Sequence, residues 1–294
     1  MFYGEVAALF AAVVWASATW IYSQFSHQFT AMQLNIVKGT IASAMMLFVL
    51  PFIPSPEFTL TPEYFLVLAV SGVIGIAIGD SAYFAALKRI GPNKTLLLES
   101  LAPPLSGVLA LVFLGTVISI QAWLGVVITT FAVALVVFQP NGETNQVSRA
   151  GIGYGLLASV CQASGVVISH YALVAGNLPP LLGALIRLAV GVLAVVAIIW
   201  WVEDKPFKAI KRNLSSMGSR SFIWLLSAIF VGTFLALWLQ QVALKHANPA
   251  IAQTLIATSP LFMLVIYAIR RETISKLSLF GTLFALLGIS LFFL

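Results

Sequence analysis

Charge is scarce in this chain. Asp, Glu, Lys and Arg make up 8% of its 294 residues, where a soluble domain carries about 25%. That shortage excludes an ordinary water-facing globule. Cysteine is almost absent: Cys161 is the only one, so no intrachain disulfide can form and no second thiol supports redox or metal chemistry. It reads as a small apolar packing residue. No GxxxxGK[ST] segment appears, so ATP drive within the chain is not expected. No His/Cys/carboxylate group has metal-ligand spacing, and no G-x-S-x-G elbow is present. The three histidines, His27, His170 and His246, fall near helix ends and far apart. No enzyme, no metal and no cofactor is therefore expected. The start Met1-Phe2-Tyr3-Gly4-Glu5 lacks the basic region of a signal peptide, so the first apolar run is expected to be retained.

Apolar sequence fills the space left by charge. The hydrophobic fraction is 61% and the mean hydropathy is +1.04. Only helices or closed barrels satisfy their backbone polar groups in lipid. The runs are long and lack period-2 alternation, which favours helices. A bilayer core of about 30 Å needs about 20 apolar residues per helix. On that basis the sequence predicts ten transmembrane helices, near 4–25, 31–53, 64–87, 93–114, 119–138, 151–171, 179–201, 221–244, 249–269 and 276–294. The net charge of +6 resides in short loops, which fits a lipid bilayer partner and not nucleic acid.

The chain repeats itself. Ala86-Leu87-Lys88-Arg89-Ile90-Gly91-Pro92 recurs as Ala243-Leu244-Lys245-His246-Ala247-Asn248-Pro249, an offset of 157 residues that also carries Gly75 onto Gly232, Pro103 onto Pro260 and Thr116 onto Thr273. Ala16-Ser17 matches Ala163-Ser164 and Gly4 matches Gly151 at offset 147, and Lys38 matches Arg187 at offset 149. The offsets drift because connections vary in length. The polar, turn-rich stretch 139–146 separates the halves. The expected organisation is a first repeat over 4–138, a linker over 139–150 and a second repeat over 151–294. Five helices per half force the second copy to enter the membrane upside down, the inverted-topology arrangement.

Twelve cations (Lys88, Arg89, Lys94, Arg149, Lys205, Lys208, Lys211, Arg212, Arg220, Arg270, Arg271 and Lys276) fall to one side of this topology, against Lys245 alone on the other. The positive-inside rule then places both termini outside the cytoplasm, in an inner or plasma membrane protein. Trp200, Trp201 and Trp224 flank the largest cytoplasmic loop as interfacial anchors.

The twofold five-helix pattern resembles the drug/metabolite transporter superfamily, specifically its ten-helix EamA-like members. The resemblance rests on Ala86-Leu87-Lys88, on Pro103-Pro104 and on Leu114-Gly115-Thr116. Their second-half counterparts are Ala243-Leu244-Lys245, Ser259-Pro260 and Arg271-Glu272-Thr273. The family pattern at the last site is Leu-Gly-Glu; the first copy carries Thr116 there, and only the second keeps an acid, Glu272. The resemblance implies export or exchange of small metabolites, amino acids and amphiphilic compounds.

Four ionisable residues fall inside predicted spans: Lys38, Asp80, Glu99 and Arg187. A charge at a helix centre costs about 2.5–3.5 kcal/mol on insertion scales, so such residues face a bundle interior or a wet cavity. At about 1.5 Å rise per residue, Lys38, Asp80 and Glu99 lie at similar depth, and Lys38 is expected to pair with one of the acids. Asp80 maps to Leu237 and Glu99 to Ile256 at the repeat offset. Arg187 therefore lacks the corresponding acids. It either snorkels to the interface or meets Gln240, Gln241 or a bound carboxylate, which its guanidinium suits. Trp15 with Gln162, Tyr83, Trp238 with Gln241, and Gln253 complete the candidate wall. Asp80 and Glu99 are the candidates for any proton coupling. Pro103, Pro104 and Pro260 are expected to interrupt two helices at related places. Gly75 and Gly79 form a GxxxG packing face.

The expected function is a secondary or facilitative transporter of small amphiphilic or zwitterionic solutes such as amino acids, working by alternating access. The alternatives are an exporter of drugs or cationic compounds, and a membrane assembly protein that transports nothing. The sequence leaves the oligomeric state open.

Overall fold

The computed structural model describes residues 3–53, 57–114, 148–247 and 249–291, with eight further positions between 120 and 132. Every regular element among them is helical. Among the described residues, seven helices are long and apolar enough to cross a membrane. Most of the expected helix at 119–138, the linker at 139–147 and the Gly115-Thr116 motif lie outside the described residues.

The chain opens with α1 (Tyr3–Phe25) and α2 (Ala31–Val49), the latter started by a capping box in which Thr30 and Gln33 satisfy each other's backbone N–H groups. A third span begins as α3 (Pro62–Gly72), capped by the Thr61 hydroxyl. It widens into a π-helical stretch, Val73–Asp80, and continues as α4 (Ser81–Glu99). Gly91 breaks α4 with φ 76°, a backbone that favours glycine, just before Pro92. The third span therefore reaches Ile90, three residues beyond expectation. α5 (Ala102–Leu114) follows a break at Ser100–Leu101.

The second half starts with α6 (Arg149–Ala175), capped by the Ser148 hydroxyl and so beginning two residues inside the expected linker. After α7 (Pro180–Val202) comes an unexpected short helix, α8 (Pro206–Ser215). It buries Pro206 and Ile210 and leaves Lys208, Lys211 and Arg212 outside. α9 (Ser219–Ile229), a π-helical stretch at Phe230–Leu235 and α10 (Ala236–His246) form one span. α11 (Pro249–Ile256) and α12 (Ser259–Ile269) are separated by a break at Ala257–Thr258, and α13 (Lys276–Ser290) follows.

Two corrections concern position. Pro103, Pro104 and Pro260 do not interrupt helix interiors. They occupy first turns of α5 and α12, where a missing N–H costs nothing; the breaks precede them. Lys94 is not a loop cation but a buried residue of α4, and Arg220 begins α9.

Contacts between the halves come in exchanged pairs. A Cβ on Gly165 would stand 3.2 Å from the Cα of Gly75, and one on Gly232 would stand 2.0 Å from the Cβ of Ala18. Gly75 and Gly232 are 157 apart, and Ala18 and Gly165 are 147 apart. Likewise a Cβ on Gly4 would meet Ala247 at 2.7 Å, while one on Gly151 would meet Ile90 at 2.6 Å. The two π-helical stretches also begin 157 residues apart, at Val73 and Phe230. α2 and α7 run antiparallel: Thr30 and Gln33 donate to Glu203 at one end, and Gly39 packs on Leu188 and Val192 further along. Small residues let these backbones approach closely, as helices in lipid require. Gly79 packs on Cys161, which is buried.

Candidate functional site

The two helix breaks meet at the centre of the bundle. Ser100 Oγ donates to Ala257 O at 3.3 Å, joining two positions 157 residues apart. Irregular backbone at this depth is tolerated where it is packed in protein or lines a cavity. Here it does both, because a narrow cavity opens beside the contact. Ala11 and Trp15 of α1 line it, with Ile76 and Asp80 from the first π-helical stretch. Leu96, Glu99 and Ala102 flank one break, and Gln253, Ile256, Ser259 and Pro260 flank the other. Gln162 of α6, Arg187 of α7 and Leu237 with Gln240 of α10 close the remaining walls. A π-helical turn re-aims the side chains that follow it and recurs at functional sites. This one turns Asp80 inward.

The ionisable groups separate into three states. Lys38, 1% exposed, makes a salt bridge to Asp80 and stands 5.0 Å from the Phe84 ring centroid. It supports Asp80 from behind and does not itself line the cavity. Glu99 accepts a 2.8 Å hydrogen bond from Trp15 Nε1. Arg187 is 2% exposed, and its Nε and Nη1 have no hydrogen-bond partner among the described residues. Snorkelling is thereby overturned for Arg187: the side chain stays inside. α7 packs its backbone on α3 at this level, where a Cβ on Gly72 would stand 2.2 Å from Arg187 O. The guanidinium lines the cavity, with Nη2 beside Gly75.

Other polar atoms around Arg187 are also open. Gln240 Oε1 and Gln253 Nε2 are buried without a partner among the described residues. Unmatched buried polar groups cost about 1–3 kcal/mol each. Several of them around one cavity mark a place prepared for a polar guest.

Of the sequence-derived wall, Trp15, Asp80, Glu99, Gln162, Arg187, Gln253 and Pro260 line the cavity. Lys38, Tyr83, Trp238, Gln241, Pro103 and Pro104 do not. Tyr83 shares a 2.6 Å hydrogen bond with Thr19 and packs on Trp15 with ring centroids 5.4 Å apart. Trp238 packs on Phe234. Gln241 is buried beside Gly183, with its amide unmatched among the described residues. Gln240, considered at first only as a partner for Arg187, is itself a wall residue. Ile76 and the π-helical stretch behind it carried no sequence signal beyond the glycines Gly72, Gly75 and Gly79.

An apolar helical bundle that keeps paired and unpaired charges around an internal cavity is a multi-pass membrane protein. The chain belongs to the EamA-like transporter family, whose profile matches residues 2–138 and 149–294. It is similar to an uncharacterised transporter of Archaeoglobus fulgidus, 26% identical over 288 residues, covering 98% of this chain and 96% of that one. A crystal structure superposes with a TM-score of 0.70 at 14% identity, covering 98% of this chain and 95% of that one. That likeness concerns the fold alone.

Proposed function

We propose that this chain is a secondary or facilitative transporter that carries small amphiphilic or zwitterionic metabolites, amino acids among them, through the central cavity by alternating access. The proposed architecture is ten transmembrane helices in two inverted five-helix repeats, 4–138 and 151–294, joined by the segment 139–150. Two profile matches, the antiparallel course of α2 and α7, and the exchanged glycine contacts support it. Helices related in this way rock about a site near the bilayer midplane. The touching breaks at Ser100 and Ala257 suit a pivot beside that site. The protein is placed in the cell membrane with both termini extracytoplasmic, in line with the cation count, and the proposed direction is export.

The observation that carries the reading is Arg187: a buried guanidinium facing a cavity with Nε and Nη1 unmatched among the described residues. Two acids and two bases (Lys38, Asp80, Glu99, Arg187) enclose or back the cavity, a formally neutral set. A guest with both signs keeps that neutrality. Its carboxylate meets Arg187 and Gln253 Nε2, while its ammonium meets Glu99 and Gln240 Oε1. Uptake into proteoliposomes of labelled amino acids, organic acids and lipophilic cations tests this. Preferred transport of zwitterions supports the reading; equal transport of all three classes by Arg187→Gln and wild type removes it.

A second reading, export of drugs or cationic compounds, draws on the Trp15–Glu99 pair, an aromatic wall beside an acid. Competition by quaternary ammonium compounds against amino acids separates the two. The assembly-protein alternative expects a dry interior, and the cavity counts against it.

A further inference from the structure

A second polar cleft lies at the end of the bundle. It is formed by the C-terminal part of α1, the start of α9 and the end of α12, and it shares no residue with the central cavity. Arg220 and Arg270 line it, together with Trp20, Trp224, Gln24 and Gln28. No carboxylate lines it. Neither arginine has an acid within ion-pair distance among the described residues, Glu272 included. Arg270 stacks over Trp20, its Cζ 4.5 Å from the ring centroid. Stacking fixes the plane of the guanidinium and leaves its edge N–H groups available. Trp224 is 48% exposed on the other wall. Two indoles at a span end are the mark of the headgroup level of a bilayer.

The adjoining surface has the same character. α8 is amphipathic, with Ile210 buried and Lys208, Lys211 and Arg212 outside. It is tied to the cleft by Asn213 Nδ2, which donates to Gln28 O at 2.6 Å. A short basic amphipathic helix of this kind lies in the interfacial plane. The cleft therefore opens where headgroups are, between two guanidiniums that pair with no acid among the described residues.

We infer that the Arg220–Arg270 cleft is a binding site for the phosphate of an anionic phospholipid headgroup. The two guanidiniums take the phosphodiester oxygens by charge-assisted hydrogen bonds. Gln24 and Gln28 supply polar side chains for a hydroxylated headgroup, and Trp20 and Trp224 flank the glycerol level. A phosphate at this place ties α1, α9 and α12 together. These helices come from both halves of the chain, so lipid occupancy bears on their relative motion.

Native mass spectrometry of the full chain in mixed micelles of phosphatidylglycerol and phosphatidylcholine tests the site. One phosphatidylglycerol should be retained preferentially, and the Arg220→Gln/Arg270→Gln pair, which loses the charge-assisted hydrogen bonds to the phosphate, should lower that preference by about 10-fold or more. The Arg220→Lys/Arg270→Lys pair keeps the charge but not the stacked fork, and should retain only part of it. Arg271→Gln/Lys276→Gln removes the same charge outside the cleft and should leave the preference intact. Unchanged retention in the first pair overturns the site. Equal loss in the charge-matched control overturns it in favour of diffuse surface attraction. Displacement of the lipid by millimolar inorganic phosphate or glycerol phosphate overturns the lipid assignment in favour of a soluble phosphate ligand.

Discussion

The first-half and second-half walls of the cavity occupy corresponding positions and carry unlike chemistry. At the 157-residue offset Asp80 faces its counterpart Leu237, Glu99 has Ile256 and Leu96 has Gln253; at offset 147 Trp15 has Gln162. Lys38 and Arg187 keep a cation in both halves, yet only Lys38 has an acid to meet. Arg187 is unmatched because the position that would serve it holds Leu237. The difference teaches a division of labour. Backbone features (π-helical stretches, helix breaks, close glycine contacts) remain paired between halves, which fits the proposed motion of one against the other. Side chains at the cavity differ between the halves, which fits the proposed recognition of a solute carrying both signs.

The comparison breaks most sharply at Asp80. Asp80→Asn leaves Lys38 charged and buried, which should cost about 3–5 kcal/mol. Thermal or denaturant unfolding in detergent reads the loss, and adding Lys38→Met should restore most of it. If Asp80→Asn unfolds like wild type, the first-half charges are not a compensated pair. Arg187→Gln should behave oppositely. No partner is lost, so stability should hold or rise. Transport should weaken about 10–100-fold in KM, in line with hydrogen bonds to charged groups of about 1.5–3 kcal/mol. A drop in stability comparable to that of Asp80→Asn would show that both halves use their cation structurally.

Smaller changes sharpen the picture. Gly72→Ala forces a Cβ against Arg187 O, which cannot yield, and should destabilise by about 1–3 kcal/mol. Gly75→Ala makes one tight contact, at 3.2 Å with the end of the Arg187 side chain, and ordinary van der Waals contacts with Gly165 and Cys161; it should leave unfolding nearly unchanged and alter transport through the displaced guanidinium. Equal thermal shifts in the two alanine variants would contradict this contrast. Ser100→Ala removes the bond to Ala257 O and should cost about 0.5–1.5 kcal/mol, measured by unfolding, with a change in the transport rate as the two breaks separate.

Much of this was legible in the residues. Apolar length announced helices, and the Ala-Leu-Lys repeat announced duplication. The cost of charge in lipid singled out Lys38, Asp80, Glu99 and Arg187. Three of those four line the cavity, and the fourth backs it. The prolines misled in detail, since a proline near a break marks the next helix start and not the kink itself. The π-helical stretches were silent, because Val73–Asp80 and Phe230–Leu235 are so uniformly apolar that a shift of the helical face leaves no mark in the residue pattern. Spacing put Tyr83 one turn from Asp80 and Trp238 one turn from Gln241, but which side of a packed aromatic reaches a cavity depends on a rotation of tens of degrees.

The chain composition alone settled that these residues form apolar helices and that the pattern occurs twice, since both follow from local hydropathy and from identity at a fixed spacing. Tertiary packing alone decided which acid takes Lys38, that Arg187 is held inside with Nε and Nη1 unmatched among the described residues, and that two arginines far apart in sequence flank one cleft. Those outcomes depend on helix rotation and on contacts between distant segments, and no local sequence property encodes either.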